Sequence, residues 1–169
     1  MDRYLKRMKN NKGISILEFL LVAVITIMIL GMLLISYNLI NRSDVKKSAR
    51  RLENAIKTAR VTAMSKGRDA GTLTFVVEGG NVYASIPGAG SRDLISGGGV
   101  SMLAVKSKDY SVMPAALITG GALVFETSGK VRMEGIGCSS HNIYSLSKGN
   151  KTYLVTVYEE TGAVEVKEL

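Results

Sequence analysis

The sequence predicts an α+β protein, with one long N-terminal helix packed on an antiparallel β-sheet head. Three observations carry that prediction. Phe19 to Ile40 is a run of 22 residues without a charge. Val45, Ala49, Leu52, Ile56, Ala59 and Ala63 then step by four and three residues, one stripe along a helix. Beyond Gly71 come short alternating segments punctuated by glycine turns.

These features divide the 169 residues into a basic leader (1–13), a transmembrane helix (14–41), an amphipathic helix (42–68) and a β-rich head (69–169). As a helix the uncharged run spans about 33 Å, the thickness of a bilayer core. No proline lies between Ile14 and Gly71, so the apolar and amphipathic segments are expected to form one helix. Gly67 and Gly71 supply its stop. Its apolar stripe is expected to face the sheet and its basic residues to face outward.

In the head, "GTLTFVVEGGNVYASI" reads as two strands joined around Gly79 and Gly80. "AALITGGALVFETSGKVRMEG" reads as a second pair turning near Ser128 and Gly129. "KTYLVTVYEETGAVEVKEL" reads as a final hairpin turning at Glu160, Thr161 and Gly162. The glycine-rich "PGAGSRDLISGGGV" reads as a loop.

Net charge is +8, and its placement says more than its sum. Arg3, Lys6, Arg7, Lys9 and Lys12 face only Asp2 in the leader, while residues 42–68 hold nine basic residues against Asp44 and Glu53. From Asp69 onward the chain is close to neutral, with eight basic and ten acidic residues. Basic residues flank both ends of the apolar run, so charge bias alone does not orient it. The single cysteine, Cys138, excludes an internal disulfide.

Glu18 is the residue a plain anchor does not explain. A charge at mid-membrane depth costs roughly 2.5–3.5 kcal/mol, less near the interface. A conventional secretory signal does not fit either, because the apolar stretch is too long and "LLISYNLINRSD" has no A-x-A-like site. The short basic leader ending in Gly13, followed by "ISILEFLLVAV", resembles the class III signal of type IV pilins and pseudopilins. That resemblance implies cleavage after Gly13 by a prepilin peptidase and N-methylation of the new terminus, Ile14. Glu18 becomes the fifth residue, placed to pair with the Ile14 amine of a neighbouring subunit. An α-amino group with a pKa near 7.7–8.0 is largely cationic at neutral pH, so stacking turns two costly charges into one pair.

The mature chain would start with isoleucine where many family members have phenylalanine, and it lacks a kinking proline. Both departures point to a minor subunit. "ARVTAMSKGRDAGTLTF" and "ALVFETSGKVR" further resemble the minor pseudopilins of type II secretion, the GspH/FimT type. The function implied is assembly through the N-terminal helix into a pseudopilus or pilus, from the inner membrane, with the head outside the cytoplasm. The implied partners are other pilin-like subunits, the prepilin peptidase, the inner-membrane assembly platform and membrane lipid. Alternatives are a DNA-uptake pilin, a major adhesive pilin, and an uncleaved membrane-anchored binding domain.

Other motifs point to no enzyme and no cofactor. Cys138 and His141 in "GCSSH" are a weak pair, because a nucleophilic cysteine needs a base and an orienting third group in space. One cysteine and one histidine are too few for a zinc site. Ser128-Gly129-Lys130 fails as a phosphate loop, with Val124 and Val131 where glycine and Ser or Thr belong. Arg50, Arg51, Lys57, Arg60, Lys66 and Arg68 form a basic helix face, open to nucleic-acid phosphates, lipid headgroups or solvent. No aromatic residues interleave them, so base stacking is unsupported.

Overall fold

The computed structural model describes residues 16–105, 112–113, 121–134 and 142–169. The chain divides into two compact units, residues 1–39 and 40–169. A single helix, α1 (Ile16–Lys66, 51 residues), runs from the first unit into the second.

In the second unit α1 is the spine of the core. Val45, Ala49, Leu52, Ile56, Ala59 and Ala63 are all 0% exposed, so the whole predicted stripe is buried. Burying side chains the size of Leu52 and Ile56 contributes roughly 1.5–3 kcal/mol each. The helix ends where Gly67 takes φ +97°, a conformation that side chains disfavour, and its N–H donates to the Ala63 carbonyl at 2.9 Å. A single 3-10 turn, Asp69–Gly71, follows. Gly71 lies so close to Ala59 and Ala63 that a Cβ there would collide with them.

After α1, the described residues form ten strands in two five-stranded antiparallel sheets. They are β1 (Leu73–Glu78), β2 (Asn81–Ile86), β3 (Ser91–Ser96), β4 (Ser101–Val105) and β5 (Val112–Met113). Then come β6 (Ala122–Phe125), β7 (Val131–Glu134), β8 (Ile143–Lys148), β9 (Lys151–Val157) and β10 (Val164–Glu168). The strand orders are β3-β2-β1-β6-β7 and β10-β9-β8-β4-β5.

All three predicted hairpins form. β1 pairs with β2 across Gly79 and Gly80, β6 with β7 across Gly129, and β9 with β10 across Gly162. Two expectations need correction. The single expected sheet is two, because the chain leaves the edge of the first sheet through Gly97–Gly99 and enters the second as β4. The segment 87–100, expected as a loop, contains β3, which pairs with β2 from Ser91↔Ile86 to Ser96↔Val82. A register shift at Val82 and Tyr83 breaks the alternation that would mark β3 as a strand.

Both sheets and the α1 stripe share one core. Phe75 of β1 meets Tyr144 of β8 with ring centroids 5.5 Å apart and tilted by 52°. The Val131 N–H donates to the Glu159 carbonyl at 2.9 Å, tying a strand of one sheet to the β9–β10 turn of the other. Polar ties hold the head portion of α1 at both ends. Near its start, Arg42 pairs with Glu168 at 2.9 Å and Asp44 with Lys148 at 2.6 Å. At its end the Lys66 ammonium donates to the Gly88 carbonyl at 2.9 Å, and just beyond it Arg68 pairs with Glu134 at 2.5 Å.

Candidate functional site

The stretch Ile16–Leu33 is long and apolar enough to cross a membrane, and none of it is buried. Ile16, Leu17 and Phe19 are 85%, 75% and 70% exposed. Large apolar side chains in an unbroken series need cover, from lipid or from protein. Two polar side chains of the run are answered locally. The Thr26 hydroxyl donates to the Val22 carbonyl at 2.8 Å, and the Ser36 hydroxyl to the Met32 carbonyl at 3.0 Å. By length and composition this helix can serve as a membrane anchor or a signal sequence.

Glu18 is exposed in the first turn of α1, where a carboxylate is favoured by the helix dipole. None of the positions three or four residues from it in sequence carries a cation, 14, 15, 21 and 22 being Ile, Ser, Leu and Val. Gly13 and Ile14 lie outside the described residues, as do Cys138 and His141.

The basic face is less uniform than its sequence implies. Arg50 and Lys57 both bind the nearly buried Glu53, at 2.6 and 2.8 Å. The Lys57 ammonium, then the Arg50 guanidinium, hold the Glu53 carboxyl below the usual carboxylate range against the opposing effect of burial. Lys66 and Arg68 have the partners given above. Arg60 lies against the turns at Gly129 and Gly162, its half-buried side chain leaving Nε without a hydrogen-bond partner. Arg51 is exposed and makes no salt bridge among the described residues.

Several polar residues that sequence reasoning passed over have structural roles. Glu168 accepts from both Arg42 and the Tyr153 hydroxyl, the latter at 2.8 Å. Lys148 reaches back across 104 positions to Asp44. No local pattern signals either link. A cleft of about 270 Å³ lies between Glu126, Lys130, Arg132, Glu159 and Glu160. Its cations are matched in place, Lys130 with Glu160 at 2.8 Å and Arg132 with Glu126 at 2.9 Å. Among the described residues no three His, Cys, Asp or Glu side chains group so as to hold a metal ion.

No family model matches the chain, and no curated protein or solved structure matches it. The chain is an α+β protein with, among the described residues, two antiparallel sheets and one N-terminal helix long and apolar enough to cross a membrane.

Proposed function

We propose that the chain is a minor type IV pilin-like or pseudopilin subunit, made as a precursor, cut after Gly13 and assembled through α1. One observation carries the reading. A single unbroken helix is wholly uncovered over Ile16–Leu33, with a carboxylate in its first turn, and becomes the spine of a β-rich head after Ile40. Lipid covers the first part before assembly, and neighbouring helices cover it afterwards. The Ile14 amine created by cleavage is the counter-charge that positions 14, 15, 21 and 22 do not supply through their side chains. The subunit is proposed to work mechanically, not chemically, as part of a type II secretion pseudopilus or type IV pilus. Its partners in this reading are other pilin-like subunits, the prepilin peptidase and the inner-membrane assembly platform, with the head outside the cytoplasm.

The DNA-uptake reading has less support, because four of the six basic residues named for it already hold acceptors within the chain. The test is the intact mass of membrane-extracted protein. Wild type should start at Ile14 and carry one methyl group, while Gly13→Ala should keep the full-length chain. A wild-type chain retaining residue 1 would instead mark an uncleaved anchored domain.

A further inference from the structure

Apart from the half-buried Arg60, the cations on α1 and just beyond it fall into two sets. Arg42, Arg50, Lys57, Lys66 and Arg68 each hold an acceptor within the chain. Lys46, Lys47 and Arg51 are exposed and make no salt bridge among the described residues. The carboxylates closest in sequence are already engaged, Asp44 by Lys148 and Glu53 by Arg50 and Lys57. Lys47 acts on Asp44 only as a minor through-space charge.

The unpaired set lies at the end of the head helix next to the apolar run. Lys46 lies six positions past Ile40, about 9 Å of helix. The polar layer of a bilayer is roughly 5–8 Å deep on each side, and the Debye length is about 8 Å at physiological salt. Long helical side chains lean toward the helix N-terminus, which here is toward the apolar run. Arg51, about 16 Å beyond Ile40 along the axis, therefore reaches back into the same zone.

We propose that Lys46, Lys47 and Arg51 form a docking face for the phosphates of anionic lipid headgroups, where the apolar segment leaves the bilayer. The inference rests on reading the uncharged run, residues 19–40, as a membrane anchor. An anchored chain holds this face beside the lipid surface at high effective concentration, whereas nucleic acid would have to be recruited to three cations with no aromatic platform among them.

The test uses the full chain in vesicles of phosphatidylcholine, with and without phosphatidylglycerol. Flotation with the neutral vesicles checks the anchor, and acylation of individual lysines read by mass spectrometry checks the docking face. A surface potential of about −30 to −50 mV holds nearby amines in the unreactive ammonium form, which slows acylation roughly three- to sevenfold. Lys46 and Lys47 should slow by that factor in the anionic vesicles, and high salt should remove the effect. Lys66, about 30 Å further along α1, should not change. In an Arg51→Gln variant the slowing at Lys47 should weaken while flotation stays intact. Equal rates in the two vesicles would overturn the docking face and leave the anchor standing. Slowing of Lys46, Lys47 and Lys66 alike would overturn it as a general field. The same slowing in neutral vesicles on adding duplex DNA would reassign the face to nucleic acid. A chain that does not float with neutral vesicles overturns the anchor and this proposal together.

Discussion

Two glutamates on one helix show what a carboxylate needs from its surroundings. Glu53 is nearly buried, and Arg50 and Lys57, one turn to either side, hold it in its charged form. Glu18 has neither neighbour, so in an apolar setting its counter-charge must come from outside its own helical turn. In the assembly reading that charge is the cleaved amino terminus of another subunit. Glu18→Ala should therefore leave cleavage after Gly13 unchanged and lower incorporation into filaments by at least about tenfold, the equivalent of 1.4 kcal/mol. Glu18→Gln separates charge from shape. It should behave like the alanine variant in a shearing assay, and wild-type incorporation would sink the charge-pair account.

At the scale of elements, α1 changes its environment without changing its backbone. Over Ile16–Leu33 apolar residues occupy all sides and none is covered, whereas after Ile40 one apolar stripe is buried and Val61 and Met64 lie exposed outside it. The contrast yields a paired prediction for the head. Ile56→Ala removes a fully buried side chain and should cost about 2–5 kcal/mol in denaturant unfolding. Val61→Ala, at a position 64% exposed, should stay within about 0.5 kcal/mol. Similar losses at both would mean that the helix does not dock by its stripe. Three of the four sheet edges among the described residues also carry charge. β3 presents Arg92 and Asp93, β7 Arg132 and Glu134, and β10 Glu165 and Lys167, a mix of signs that discourages edge-to-edge pairing with other chains.

At the scale of the whole molecule, ionic ties bracket the pH range of the head. Asp44 is held below its ordinary value chiefly by Lys148, Glu53 by Lys57, Glu160 by Lys130, and Glu168 by Tyr153 and Arg42. A carboxyl depressed in the folded state adds stability above its unfolded value, and that stability is lost as pH falls through the folded one. Tyr153 is raised chiefly by burial and Tyr158 by Glu165, so their contributions are complete below about 10 and lost as pH rises further. Thermal melts should show a plateau across neutral pH, with stability declining below about 4 and again above about 10. A melting temperature that keeps rising below pH 4 would contradict these ties.

Local rules were enough for the parts of this protein that depend on local spacing. The α1 stripe is set by steps of three and four residues, and the hairpin turns at Gly79–Gly80, Gly129 and Gly162 by residues that tolerate positive φ. The uncharged run and its lone Glu18 are equally plain in the chain. The tertiary structure decided what depends on distant partners. It divided the ten described strands between two sheets, recovered β3 from a glycine-rich stretch, and left Lys46, Lys47 and Arg51 without a salt bridge among the described residues while Arg42, Arg50, Lys57, Lys66 and Arg68 found acceptors. Links such as Asp44 to Lys148 and Arg42 to Glu168 join residues more than a hundred positions apart. A strand's edges and a cation's charge can be satisfied by many partners of the same chemistry, and only packing around the common core selects among them.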